Sequence, residues 1–161
     1  MNGASALAGL LAIGERNLRR ATEGLTTKAL SWAPPGTANP IGATWLHALA
    51  VHDWGIHLLH GQPSLWDRDG WSDRLGVAAP LRQDYAAARA MRLDPEAVRS
   101  YADAVFAAAR AFMEGMADAD LDRTIETPER RTTVGEGLQL LVAHLLEHTG
   151  EIMALRGALG E

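Results

Sequence analysis

Apolar residues recur at helical spacing in four long stretches of this chain, with polar residues between them. The stretches cover residues 4–23, 41–60, 94 to about 117, and 133–159. A period of 3.6 residues per turn indicates amphipathic helices that bury their apolar faces against one another. The length of the chain suits one hydrophobic core. The pattern therefore predicts an all-α fold, a four-helix bundle formed by a single domain over residues 1–161.

Capping residues mark where the last two long helices begin. Asp94, Pro95 and Glu96 supply a capping carboxylate, a proline at the first helical position and an acid in the first turn. Thr133 and Glu136 have the spacing of a capping box, in which each side chain bonds the backbone N–H of the other. Both helices are therefore expected to begin at these residues.

The connection between the second and third long helices is the least regular part of the chain. It covers residues 64–91, carries Trp66 and Trp71 among acidic residues, and ends in a short helix predicted at 85–91. Packing is the preferred role for the two tryptophans, with a place at a pocket mouth as the alternative. A connection this long predicts a crossover between distant ends of the bundle. A second irregular part is expected to hold an extended segment at 123–127.

The amino-acid composition of the chain argues against several classes of function. The chain has no cysteine, which excludes disulfides, iron–sulfur clusters and a cysteine nucleophile, so any metal ligand must be His, Asp or Glu. The formal net charge is −5 and no basic run exceeds two residues, which argues against nucleic acid as a partner. The apolar run at residues 1–13 lacks a basic start and is too short to span a membrane. These features favour a cytoplasmic protein without a membrane partner.

Two histidines stand four residues apart in the last long helix. His144 and His148 share one face of that helix, beside the apolar stripe that includes Leu141 and Leu145. Such a pair suits two ligands of a metal ion whose third ligand comes from another helix. The alternative is two partly buried histidines that hydrogen-bond to the backbone or to carboxylates.

The second long helix carries four more histidines. His47 lies among apolar residues and is expected to face the core, either as a satisfied core residue or as a third ligand beside the pair. His52 is roughly 140° around the helix from His47, so the two should not bind one ion. His57 and His60 stand near the helix end and are expected at the surface or at a site entrance.

Three carboxylates are near these histidines in sequence. Glu151 follows His148 by three residues and Asp53 follows His47 by six, and each is a candidate to orient a ligand imidazole through its second nitrogen. Glu147 lies about 100° from His148 on the helix and is expected in solvent or beside the ligands. An ordinary surface carboxylate is the alternative for Glu151 and for Asp53.

Two passages resemble a known family, the DinB-like (YfiT/DinB) superfamily of bacterial helical bundles. Residues 39–54 (NPIGATWLHALAVHDW) are similar to its second-helix pattern, in which an apolar-Trp stretch precedes a His, an acid and an aromatic residue. Residues 144–156 (HLLEHTGEIMALR) resemble its last-helix pattern, His-x-x-x-His-x-Gly-Gln-Ile followed by Leu-Arg. The loop at 61–66 and the helix order agree as well, so the resemblance covers nearly the whole chain.

The resemblance implies an up-down-down-up order of helices and a divalent metal, most often zinc or nickel. Carried over residue by residue, the ligands are His47, His144 and His148. Many members are homodimers, and some are transferases or isomerases that use a low-molecular-weight thiol such as mycothiol or bacillithiol. The isomerase branch often has a Glu ligand in the last helix, which this chain lacks, and Glu151 stands where Gln is common.

Three imidazoles around a divalent ion leave a coordination position open, where a water or a thiol can lose its proton near neutral pH. Because the chain has no thiol of its own, thiol chemistry requires a small cosubstrate. The leading hypothesis is a metal-dependent thiol S-transferase or a hydrolase-like activity on a small electrophile. The alternatives are a metal- or small-ligand-binding bundle without catalysis, and an interaction bundle whose histidines have no function.

Overall fold

Four long helices and several short elements form the structure, a computed structural model that describes residues 2–78, 80, 85–126 and 131–160. The four predicted helices are present, so the all-α prediction is confirmed. In chain order the helices are α1 (Gly3–Thr22), α2 (Thr27–Leu30), α3 (Ile41–His60), α4 (Leu65–Arg68), α5 (Trp71–Leu75), α6 (Tyr85–Ala90), α7 (Pro95–Met113) and α8 (Val134–Leu159). A 3₁₀ turn at Asp118–Asp122 precedes a two-stranded antiparallel ribbon of β1 (Thr124–Glu126) and β2 (Arg131–Thr133).

Ion pairs between α1 and α7 show that these two helices are antiparallel. Arg19, late in α1, lies 2.7 Å from Asp103 in the middle of α7, and Arg110 near the end of α7 lies 2.6 Å from Glu15. Rising residue numbers in one helix thus meet falling numbers in the other. Exposed pairs of this kind add little stability, but they fix the relative direction of the two helices.

Contacts of α8 give the directions of the remaining helices. Helix α8 runs parallel to α1, since Leu145 packs at Gly14 and the Arg156 guanidinium donates to the Ala21 carbonyl at 2.9 Å. It runs antiparallel to α3, as the contact of Gly55 with Leu141 shows together with His47 beside His148. The long helices therefore follow the up-down-down-up order that the resemblance implies.

The contact between α3 and α8 is unusually close because each helix presents a glycine to the other. A Cβ at Gly55 would lie 2.4 Å from Leu141 Cδ2, and one at Gly137 would lie 2.6 Å from Leu59 Cδ2. Carbon atoms pack at about 3.5–4.0 Å, so a Cβ at either position would require the leucine side chain that now fills the space to move. The two glycines therefore allow the close packing of the helix pair that carries the histidines.

The crossover from α3 to α7 contains the short helices α4, α5 and α6, and α6 matches the helix predicted at 85–91. Trp71 is buried, with its ring centroid 5.0 Å from that of Tyr101, and the half-buried Trp66 lies 5.5 Å from the same ring. Packing is therefore the role of both tryptophans. Residues 79 and 81–84 of the predicted irregular segment lie outside the described residues.

The predicted helix starts are confirmed. The Asp94 carboxylate accepts from the Glu96 N–H at 3.2 Å. Thr133 Oγ1 accepts from the Glu136 N–H at 3.2 Å while Glu136 Oε2 accepts from the Thr133 N–H at 2.9 Å, which completes the capping box.

Two boundaries differ from the predictions. Helix α7 ends at Met113 rather than near 117, because Gly115 adopts a left-handed conformation with φ of 77° that ends the helical path. The extended segment predicted at 123–127 is present as β1, and residue 127 lies outside the described residues. Among the helices that the structure describes, none is long and apolar enough to cross a membrane.

One histidine is part of the core itself. His52 is 1% exposed, its ring centroid lies 5.8 Å from that of Phe106, and neither ring nitrogen has a hydrogen-bond partner among the described residues. Burial, reinforced by the charge of His144, lowers the pKa of His52 from 6.5 to about 4. The side chain is therefore neutral at pH 7 and would have to be charged inside the core at acid pH.

Burial of His52 should make the folding stability fall as the pH drops from about 6.5 to 4. Between these pH values His52 binds a proton in the unfolded chain but not in the folded chain, and this difference favours unfolding. Above pH 6.5 His52 is neutral in both states, so the full stability is present. Between pH 7.5 and 4.5 the wild type should lose roughly 2–3 kcal/mol more than His52→Leu. Urea unfolding of both metal-free proteins at the two pH values measures this, and equal losses would contradict it.

Candidate metal centre

Three histidines from two helices converge at one point. His47 of α3 and His144 and His148 of α8 each offer a ring nitrogen, and these nitrogens all lie within 4.8 Å of one another. The centroids of the rings are 4.4 Å apart for the α8 pair and 5.1–5.3 Å from that pair to His47. All three side chains are half-buried. The structure thus brings together the three residues that the resemblance gives as ligands.

The geometry of the α3–α8 pair explains this convergence. His144 and His148 stand one turn apart, so their rings lie next to each other on one face of α8, at an interplanar angle of 71°. Helix α3 lies against that face at the short distance that Gly55 and Gly137 allow, and it aims His47 at the pair. The three rings therefore sit on long helices rather than on a loop.

A carboxylate holds one of the three rings. Glu151 Oε2 lies 2.8 Å from His148 Nδ1, and its other oxygen accepts from the Thr44 hydroxyl at 3.4 Å. A neutral His148 that donates Nδ1–H to this carboxylate presents an unprotonated Nε2, whose lone pair points toward His144. The prediction that Glu151 orients a ligand imidazole is thus matched by a direct hydrogen bond. Thr44 was not predicted, although its position three residues before His47 placed it on the same face of α3.

The surroundings favour the uncharged form of His144 and of His47. Burial lowers the pKa of His144 to about 4, with the charges of His148 and His47 acting in the same direction. Burial also lowers the pKa of His47, again with the help of His148, while a hydrogen bond to the backbone of Pro80 and the charge of Glu151 oppose the shift. Neutral imidazole is the form that binds a metal ion, because protonation removes the lone pair.

The donor set fits a divalent cation. His144 Nε2 and His148 Nε2 are 3.2 Å apart, and two nitrogens that each lie 2.0–2.1 Å from a tetrahedral ion are separated by roughly 3.3 Å. Two ring nitrogens this close can share a proton or a cation, and the third imidazole beside them favours a cation. A three-His set leaves room for at least one further ligand, as in catalytic zinc sites.

Two predictions about the remaining side chains of α3 are wrong. His57 was expected at the surface or at a site entrance, but it is buried, and its Nδ1 lies 2.9 Å from Asp53 Oδ1 and 2.8 Å from the Asp53 carbonyl oxygen. Asp53 was a candidate to orient a ligand imidazole, with a surface carboxylate as the alternative, but it is buried and the imidazole that it holds is that of His57. The reason is geometric, because Asp53 and His57 stand one turn apart on a face turned away from His47. His60 is exposed, as predicted, and so is Glu147.

Asp53 anchors the crossover to the bundle. Its two carboxylate oxygens accept from the backbone N–H groups of Leu65 and Trp66, each at 2.9 Å, and from the Tyr101 hydroxyl at 2.7 Å. Burial and the charge of Asp53 raise the pKa of Tyr101, which keeps this hydroxyl a donor. Together with His57, four donors satisfy one buried carboxylate and join α3, α4 and α7.

Comparison with known proteins identifies the fold and then the family. The chain is similar in structure to a conserved protein of Enterococcus faecalis known from a crystal structure, with a TM-score of 0.83, 14% sequence identity, and coverage of 97% of this chain and 96% of that one. At that identity the likeness shows the fold alone. The family model of the DinB superfamily matches residues 10–152, so the chain belongs to the DinB superfamily. A search of curated proteins finds no match.

The hydrogen bond from His148 to Glu151 should strengthen metal binding. Glu151→Ala should lower the affinity for zinc by about 10–100-fold, because the imidazole loses the partner that fixes its tautomer and orientation. Glu151→Gln keeps an accepting oxygen and should lose less. Competition with a chromogenic chelator measures the affinities, and the exposed Glu147→Ala, which removes a nearby charge from the same helix, is the matched control. Equal losses in Glu151→Ala and Glu147→Ala would show that charge alone matters.

Loss of the Asp53 carboxylate should destabilise the protein strongly. Asp53→Ala leaves buried donors of α4, of His57 and of Tyr101 without their acceptor, which should cost about 3 kcal/mol or more. Asp103→Ala removes an exposed carboxylate that pairs with Arg19 and should cost less than about 1 kcal/mol. Denaturant unfolding of the two variants gives both numbers. A small loss in Asp53→Ala would mean that the anchor is dispensable.

Proposed function

We propose that this chain is a metal-dependent enzyme whose site is formed by His47, His144 and His148. The activity that suits it best is thiol S-transfer to a small electrophile, or a hydrolase-like reaction on such a molecule, with zinc or nickel as the ion. The observation that carries the proposal is the convergence of three imidazoles from two helices, whose ring nitrogens lie within 4.8 Å of one another. Membership of the DinB superfamily supports it.

A divalent ion held by His47, His144 and His148 would act as a Lewis acid and would lower the pKa of a bound water or thiol. Residues of the chain itself orient the ligands. Glu151 holds the proton of His148 at Nδ1 and so keeps Nε2 free for ligation. The Thr44 hydroxyl in turn donates to Glu151, which fixes the carboxylate against α3. Half-burial of the three rings restricts water around the site and strengthens electrostatic interactions there.

A thiol in this reaction has to come from solution, because the chain contains no cysteine. In the transfer reaction the sulfur of a low-molecular-weight thiol forms a bond to carbon of the electrophile. The leaving group departs with its electron pair and the thiol proton passes to solvent, so that no oxidant or reductant is required. In the hydrolytic alternative, the oxygen of water forms the bond to carbon, the leaving group again departs with its electron pair, and a proton of the water passes to solvent.

The metal content of untagged protein is the first test. Wild type should hold about one ion per chain and His144→Ala should hold almost none, because two imidazoles rarely retain a divalent ion during purification. Elemental mass spectrometry measures this directly. His60→Ala removes an exposed histidine near the end of α3 and should bind as much metal as wild type.

Turnover distinguishes the enzyme from a bundle that binds metal without catalysis. The zinc- or nickel-loaded protein is mixed with a low-molecular-weight thiol and a small alkylating electrophile, and thioether formation is followed by mass spectrometry. We expect turnover in wild type and His60→Ala and only the background rate in His144→Ala. A full metal site that gives no thioether and no hydrolysis product would favour the binding protein, and failure to bind metal at all would remove both.

A further inference from the structure

A groove between α3 and α8 lies beside His144, one of the three histidines of the metal centre. It has a volume of about 420 Å³, and His144 forms part of its lining. Apolar side chains make up most of the remaining wall, notably Trp54 and Leu58 from α3 and Leu140 from α8. A substrate held beside His144 would therefore have an apolar surface next to it on the same pair of helices. The size is within the usual range for small-molecule pockets.

Two large side chains of this groove are exposed to an unusual degree. Trp54 is 50% exposed and Leu140 is 47% exposed, on facing helices. Each lies one turn or less from a residue that packs tightly, Gly55 in α3 and Leu141 in α8, so the backbone beneath them is held firmly. Exposed apolar side chains that line a concave surface are typical of a binding site, because a ligand removes their area from water.

The charge of the groove limits what can bind. Among the described residues that line it, Glu147 is the one charged side chain, and neither Lys nor Arg is present. Glu151, one turn further along α8, adds a second negative charge near the histidines. An anionic group on the apolar part of a ligand would therefore meet repulsion and no counter-charge.

We propose that this groove binds the apolar portion of the substrate, and that the substrate is an uncharged molecule with an alkyl or aryl group. The reacting end lies at His47, His144 and His148, and the apolar group extends along α3 and α8 toward Trp54 and Leu140. The proposal rests on the proposed function for the position of the reacting end. It adds a substrate class, neutral and apolar rather than acidic.

A series of alkyl hydroxamic acids tests the groove independently of turnover. Their head group binds divalent zinc, they are uncharged in neutral solution, and their chains can be lengthened one methylene at a time. Calorimetry on the zinc-loaded protein should show affinity that rises up to about fourfold per methylene, from the value of about 0.8 kcal/mol per buried CH₂, until the groove is filled. In the six-carbon member of the series, hexanohydroxamic acid, a carboxylate added at the end of the chain should cancel most of the gain in affinity.

Matched leucine variants locate the effect. Leu140→Ala should flatten the dependence on chain length, while acetohydroxamic acid, which has the shortest chain, should bind as it does to wild type. Leu146→Ala changes another exposed leucine of α8, which does not line this groove, and should keep the full dependence. Affinity that ignores chain length, or that falls equally in both variants, would overturn the groove proposal while acetohydroxamic acid binding still supports the metal site.

Two further outcomes are separable. If the protein binds neither zinc nor acetohydroxamic acid, the proposed function fails, and Nile red, a neutral apolar dye, then tests the groove alone by fluorescence. Dye binding that is weaker in Leu140→Ala than in Leu146→Ala supports an apolar ligand site, and equal binding overturns it. The groove is also overturned as a substrate site if Leu140→Ala converts a dimer to a monomer in solution and chain length has no effect.

Discussion

The close antiparallel contact between α3 and α8 is the constraint on which the rest of this structure depends. Gly55 and Gly137 let the two helices approach until leucine side chains fill the space that a Cβ would need. At that separation a histidine of α3 meets a histidine pair of α8, and one ring nitrogen of each lies within 4.8 Å of the others. A wider spacing would leave three separate half-buried histidines. The metal centre is thus a property of how two helices pack as much as of the ligand residues themselves.

Two carboxylate–histidine pairs, Asp53 with His57 in α3 and Glu151 with His148 in α8, are each formed within one helix and have different roles. Asp53 is buried, and its carboxylate accepts hydrogen bonds from His57, from Tyr101 and from the backbone of α4. Glu151 is partly exposed and holds a ring whose other nitrogen remains available. The difference is in the number of donors that surround each carboxylate. The Asp53 carboxylate, which accepts from four donors, stabilises the junction of three helices. The Glu151 carboxylate accepts from fewer donors and can position a ligand imidazole.

Helical periodicity and capping residues were sufficient to predict the four long helices, the start of α7 and the capping box at α8. The adjacency of His144 and His148 also followed from spacing alone, since residues one turn apart share a face. Their meeting with His47 did not, because no local pattern states which helices are neighbours, and only the family resemblance supplied it. The same limit explains the errors at His57 and Asp53. Nearness to a helix end suggested exposure for His57, but the crossover folds back over that turn and buries it, an interaction between residues far apart in sequence.

The order of the long helices has a consequence for how this protein can change over evolution. Because α3 and α7 run in the same direction, the chain must return along the bundle between them, and part of this return path passes beside the ligands: Pro80, Ala88 and Met91 line a small cavity with His47 and His148. The ligands belong to the rigid frame, while this bounding segment belongs to a connection that does not set the helix spacing. Insertions and deletions there can alter which molecules reach the histidines while the helices that carry the ligands keep their packing. Within this segment Pro80 is the residue under tighter constraint, because its backbone is hydrogen-bonded to His47.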